Sequence, residues 1–144
     1  LNWPNGLHLK ALTTIQYVST NKLVTNYQGA SNFYPKGFKS ALDQFLDITQ
    51  SFSNAWQSED VDLIIDLLRA YDVQIKKLDK IGSIGIYTQV HEDIQNIASR
   101  HNVFYKPSGA GGGDIGLAFS SSLDALSDFS DGIGKVAWTI GCLD

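Results

Sequence analysis

The stretch best equipped for chemistry is Lys106-Pro107-Ser108-Gly109-Ala110-Gly111-Gly112-Gly113-Asp114. Every glycine loses backbone freedom on folding, so a cluster marks positive φ angles or a place where backbone must approach something closely. Successive N–H groups in such a turn form a concavity for an anion. Lys106 would add a positive charge there and Ser108 a hydroxyl donor. A phosphate or a carboxylate is the ligand this pattern suits; the structural alternative is a long, flexible hairpin loop. Two better-known glycine motifs fail on context. Gly111 to Gly116 fits G-x-G-x-x-G, but a dinucleotide fingerprint opens into a helix, whereas here the strand-like Ile115-Gly116-Leu117-Ala118-Phe119 follows. A Walker loop needs Gly-Lys-Ser or Gly-Lys-Thr, and the sequence has neither.

Other reactive side chains carry weaker patterns. His91-Glu92 begins a zinc-binding H-E-x-x-H helix but Gln95 stands where the second His belongs. His8 and His101 have no Cys or carboxylate cluster at ligand spacing. Cys142, beside Gly141, has no local His to activate it and is expected to be a small buried apolar residue. Asp43, Asp47, Glu59, Asp60 and Asp62 fall on or between polar helix faces, where solvation is their ordinary role. For Lys106 the alternatives are charge stabilisation and plain solvation at a strand end. For Asp114 they are orienting its own loop and facing a substrate or magnesium.

These residues need a frame. Leu7 to Thr14 alternates with period two and predicts a first strand. Ile15 to Lys36 is rich in turn and cap residues and reads as loop, with one helical turn around Lys22 to Tyr27. From Gly37 to Gln57 apolar residues recur at helical spacing, and a second long helix, N-capped by Ser58, runs from Val61 to Gly82. Tyr87, Val90, Ile94, Ile97 and Ala98 predict a third helix ending near His101-Asn102. The apolar runs Val103 to Tyr105 and Ile115 to Phe119 predict strands on either side of the glycine loop. A helix capped by Ser120 to Ser122 and a last strand over Val136 to Leu143 follow. The order β-α-α-α-β-β-α-β predicts an α+β fold, an antiparallel sheet of about four strands with helices on one face.

A chain of 144 residues with 43% hydrophobic and 11% aromatic side chains fits one domain over residues 1–144 with a real core. Its formal charge of −4, from 15 acidic and 11 basic residues mixed along the chain, provides no basic stripe for nucleic acid. No apolar run approaches the roughly 18 residues of a membrane span, and the lone cysteine allows no internal disulfide. A soluble, cytoplasmic protein is expected. Without Met or a signal segment, the chain is expected to be a piece of a longer protein.

Ile86-Tyr87-Thr88, expected on a helix, followed later by Lys106-x-Ser108-Gly109-Ala110-Gly111-Gly112-Gly113-Asp114-x-Gly116, resembles the C-terminal half of phosphomevalonate kinases, a branch of the GHMP superfamily of small-molecule kinases. In that superfamily a Gly-Ala-Gly-Gly-Gly loop between two C-terminal strands is the third signature motif. An Asp in its final position is similar to the phosphomevalonate branch, where mevalonate kinases more often have Gly. Thr14, then Val18-Ser19-Thr20-x-x-Leu23-Val24, resembles the family's Thr-Gly-x-x-Ala-Ser-Thr segment, with Ile15 in place of Gly and Val18 in place of Ala.

The resemblance implies a GHMP C-terminal domain, a ferredoxin-like variant, in which the loop from Gly109 to Gly113 closes over the phosphate region while Ser19 and Thr20 contact the acceptor. It implies ATP and Mg2+ as cofactors of the intact enzyme, held mainly by an N-terminal kinase domain that also carries the catalytic residues. It implies a phosphorylated small-molecule acceptor, and no turnover by these residues alone. Mevalonate kinase and a stand-alone ligand-binding or regulatory module are the alternatives. Diphosphomevalonate decarboxylase, a relative, is not expected to carry this glycine loop.

Overall fold

The computed structural model describes residues 2–14, 16, 18–109, 111–134 and 137–143. Ile15, Ala110 and Val136, which enter the expectations above, lie outside the described residues, as does the Cys142 side chain. Strand β1 (His8–Thr14) leads into four consecutive helices, α1 (Thr20–Phe33), α2 (Pro35–Gln57), α3 (Val61–Gly82) and α4 (Gln89–Arg100). Then come β2 (Phe104–Pro107), β3 (Ile115–Ser120), α5 (Leu123–Ile133) and β4 (Ala137–Leu143). The strands form one antiparallel sheet in the order β2-β3-β1-β4, the α+β architecture expected. His8 pairs with Ser120 and Phe104 with Phe119, and the β1–β4 register shifts between Ala11 and Leu12.

Both faces of this sheet are covered, where the sequence pattern predicts helices on one. Leu12, Tyr105 and Ala118 meet α4 and α5 through Ile94, Ala98, Leu126 and Phe129. On the opposite face Phe104 and Phe119 meet the α2–α3 corner at Ala55, Ile64 and Ile65. The reason is visible in β2 and β3: unbroken apolar runs, rather than alternating ones, belong to strands buried on both sides.

The extra helix, α1, occupies most of the stretch expected to be loop. It is polar along its length and buries only Leu23 and Ala30, so its pattern is faint. Tertiary contact holds it in place. Tyr27 packs edge-on against Phe38 with ring centroids 5.2 Å apart, and Asn26 Nδ2 donates to the Ile84 carbonyl at 2.9 Å. A Cβ on Gly82 would lie 2.5 Å from the Ala30 Cβ, so only glycine lets α3 approach α1 here.

Two local expectations also change. Ser58 closes α2, and Asp60 caps α3 instead, its carboxylate accepting from the Leu63 N–H at 3.1 Å. Ile86-Tyr87-Thr88 lies before α4 rather than on a helix. The Asp79 carboxylate accepts from the backbone N–H groups of Gly85, Ile86 and Tyr87 at 2.7, 3.0 and 2.9 Å, which pins this segment as a non-helical link. Ser122 caps α5 as expected, accepting from the Ala125 N–H at 3.2 Å.

Candidate functional site

The glycine loop joins β2 to β3 and is wedged between the segment 84–88 on the one hand and Gln16 and Val18 on the other. The Gly112 N–H donates to the Ile86 carbonyl at 2.9 Å, the Gly111 N–H to the Ser108 carbonyl at 3.3 Å, and the Ser108 N–H to the Ile115 carbonyl at 2.9 Å. The Asp114 carbonyl accepts from the Thr14 N–H at 2.9 Å and from the Thr13 hydroxyl at 3.4 Å, so its backbone ties the loop to the end of β1 while its side chain is exposed. Gly111, Gly112 and Gly113 all have positive φ, and a Cβ on each would sit 2.5 to 2.9 Å from Ile86, Val18 and Gln16 respectively. These three glycines are thus required by backbone conformation and by close approach together. Gly109, φ +62°, differs: nothing lies within 4 Å of where its Cβ would be.

The wedge brings the two halves of the sequence pattern together. Gly112 packs on Val18 and Leu23, and Ser19 and Thr20 follow Val18 directly as the N-cap and first residue of α1. Both are exposed, and the Ser19 side chain does not cap its own helix. The positive end of the α1 dipole therefore lies beside the glycine loop, an arrangement that favours an anion. On the other side of the loop, Gly109 and Gly111 line a pocket of about 190 Å³ with Lys106, Tyr27, Tyr71 and Tyr87. Ser19 and Thr20 are not among that pocket's lining residues. Ser108 is half-buried at the start of the loop.

Lys106 is half-buried, and its Nζ donates to the Pro107 carbonyl at 2.8 Å. Burial lowers its pKa below the ordinary lysine value, with the Asp72 charge acting in the opposite direction. A polar network that sequence patterns did not reveal stands behind it. Asp72, 4% exposed, accepts from the Tyr87 hydroxyl, pairs with Lys76 at 3.1 Å and accepts from Gln95 Nε2 at 3.3 Å. Gln95 Nε2 also donates to the Tyr105 carbonyl at 3.1 Å. Burial, reinforced by the hydrogen bond to Asp72 and its charge, pushes the Tyr87 phenol pKa well up, so it remains a donor.

Below the sheet, fully buried His91 shares a 2.8 Å hydrogen bond between Nδ1 and the Tyr105 hydroxyl, and desolvation lowers its pKa to about 4. Gly116 is required here because the Tyr105 ring lies where any side chain at that position would go. Asp72 and Gln95 could have been suspected from their positions on the apolar stripes of α3 and α4, and Asp79 from its place just before Gly82-Ser83.

As for metal, the described residues contain no group of three or more His, Cys, Asp or Glu side chains able to hold an ion. The Gly111 and Gly112 amides are already engaged within the protein. What the described residues present is an anion-favouring helix start, a glycine loop and a partly desolvated lysine.

Comparisons with protein-family models and with curated proteins find no match. Solved structures do match. A Lin0012 protein from Listeria innocua superposes with a TM-score of 0.83 at 21% identity, over 94% of this chain and 40% of that one. The fold is shared. L. major mevalonate kinase, solved with R-mevalonate, gives 0.80 at 23% identity, over 92% of this chain and 41% of that one. Streptococcus pneumoniae phosphomevalonate kinase, solved with phosphomevalonate and AMPPNP, gives 0.80 at 17%, over 95% and 39%. The chain thus spans about two fifths of the length of the structures it matches. No helix among the described residues is long and apolar enough to cross a membrane.

Proposed function

We propose that this chain is the C-terminal, acceptor-side domain of an ATP-dependent GHMP kinase of the mevalonate route, and that its acceptor is phosphomevalonate. The observation that carries the reading is the wedge at Gly112, which sets the glycine loop against the start of α1. It stands within a fold shared with kinases that act on small anionic acceptors. Phosphoryl transfer depends on positioning and charge stabilisation rather than covalent work by the protein, so a domain that only holds the acceptor makes a full contribution. In this reading Ser19, Thr20 and the exposed N–H groups opening α1 hold the acceptor. Lys106, Ser108 and the loop from Gly109 to Gly113, including Ala110, wall the phosphate region, and the Asp114 side chain faces the cleft.

ATP and Mg2+ supply the transferred phosphoryl group and its charge neutralisation, held mainly by an N-terminal domain of a longer, cytoplasmic parent protein. The residues described here bind and orient. Mevalonate kinase is the second reading, favoured by the equal superposition on L. major mevalonate kinase.

The deciding experiment follows ATP consumption by the parent protein, with magnesium, on mevalonate, phosphomevalonate and diphosphomevalonate in turn. Turnover of phosphomevalonate supports the proposal, and turnover of mevalonate alone selects the second reading. Silence on all three from a folded protein overturns both and leaves a ligand-binding module. Ser19→Ala is expected to raise the acceptor KM with little change in that of ATP.

A further inference from the structure

Lys106 also lines a second pocket. Between α2 and α3 lies a space of about 190 Å³ walled by Ile48, Phe52, Leu67 and Leu68, with Tyr71 and Lys106 shared with the glycine-loop pocket. Side chains alternate along β2, so Lys106 falls on the same face as Phe104, the face covered by the α2–α3 corner. The remaining wall residue, Thr49, commits its hydroxyl to the Phe45 carbonyl at 2.7 Å. A mostly apolar chamber, aliphatic and aromatic, thus has a lysine in its wall.

Among the described residues that lysine has no direct ion-pair partner, although the Asp72 charge acts on it from a distance. Its hydrogen bond goes to a neutral carbonyl, and the ion pair found among the described residues is Lys76 with Asp72. The Asp72 carboxylate is already occupied by Tyr87, Lys76 and Gln95. A partly desolvated ammonium with only one neutral partner is costly, and an incoming anion relieves that cost by charge-assisted hydrogen bonds. Desolvation of Lys106 shows in its lowered pKa.

We propose that the α2–α3 pocket is a distinct ligand site for an amphiphile with one anionic head, which pairs with Lys106 Nζ, and an aliphatic chain that fills the chamber. An engineered cavity of about 150 Å³ accommodates benzene, so a space of this size suits a chain of about six to eight carbons. A carboxylate and a phosphate head share the required chemistry. The site adjoins the glycine-loop pocket, with which it shares Tyr71 and Lys106, but does not depend on the kinase reading, and acceptor turnover is not an arm of its test.

The test titrates the protein calorimetrically with octanoate, octyl phosphate and octanol. Either anion is expected to bind at least tenfold more tightly than octanol, and the stronger of the two identifies the head group. Lys106→Gln is expected to bring the anions down to the octanol affinity. Thr49→Phe, at an exposed helix position that cannot upset the core, is expected to weaken all three by filling the chamber. Octanol binding as tightly as the anions overturns the proposal, and so does failure of every probe to bind. So does full anion affinity in folded Lys106→Gln or Thr49→Phe protein.

Discussion

Asp79 is the residue whose removal should propagate furthest. Its carboxylate takes three consecutive backbone N–H groups, from Gly85, Ile86 and Tyr87, and the Ile86 carbonyl in turn receives the Gly112 N–H. One side chain on α3 therefore holds the link that holds the glycine loop. A hydrogen bond to a charged group contributes about 1.5–3 kcal/mol net, and bonds sharing one acceptor group are not additive. Gly85 is exposed and can turn to water, whereas Ile86 and Tyr87 are half-buried.

Asp79→Ala is therefore expected to cost about 3–4 kcal/mol, close to two full bonds rather than three. For a chain of this length that corresponds to a fall in Tm of roughly 10–15 °C. Asp79→Asn keeps one acceptor oxygen but turns an NH2 toward a donor, and about half that loss is expected. Thermal melts of both variants, beside Asp66→Ala on the exposed face of α3, give the magnitudes. Amide hydrogen exchange gives the path, because protection should fall at Ile86, Tyr87 and Gly112 together. A fall in Tm below about 4 °C for Asp79→Ala, or unchanged protection at Gly112, would refute the reasoning.

Three further outcomes are expected. Gly112→Ala combines a φ of +84° with a Cβ 2.7 Å from that of Val18, and should cost about 2–4 kcal/mol in urea denaturation; Gly109→Ala, with open space around it, should cost about 1–2 kcal/mol, the conformational part alone. His91, with a pKa of about 4 in the folded protein against the ordinary 6.5, favours the folded state while neutral; that stability is complete above pH 6.5 and declines as pH falls toward 4, by up to about 3 kcal/mol. His91→Phe should be less stable at pH 7, having stranded the Tyr105 hydroxyl, yet show a flatter decline between pH 6.5 and 4 in denaturation series. Ser122→Ala removes the α5 cap and should cost about 1 kcal/mol, read from the same denaturation midpoints.

The strength of the local signal decided what could be read from the sequence. The long amphipathic helices α2 and α3 and the strand β1 announce themselves by period, and β2 and β3 by short unbroken apolar runs. Helix α1 buries two residues and relies on Asn26 reaching Ile84 and on Gly82 admitting Ala30, pairings that link distant parts of the chain. The same distance hid Asp72, Asp79 and Gln95. Asp72 and Gln95 stand out only by lying on apolar stripes, and the roles of all three are set by partners 4 to 23 positions away.

The glycine loop raises a subtler point, since the two meanings of a glycine cluster, close packing and ligand contact, prove to belong to different residues. Gly111, Gly112 and Gly113 are demanded by Ile86, Val18 and Gln16 whether or not an anion ever binds. Two of the loop's glycine amides, with that of Ser108, are spent inside the protein, so the cluster is weaker evidence for a phosphate cradle than its composition suggests. Its stronger consequence is positional. Only residues without side chains allow positions 111–113 to approach Ile86, Val18 and Gln16 this closely, and that contact sets the exposed start of α1 beside the loop. In the proposed reading, recognition of the acceptor should therefore depend more on Ser19, Thr20 and Lys106 than on the glycines. Substitutions at 111–113 should act on it indirectly, through the stability of the wedge.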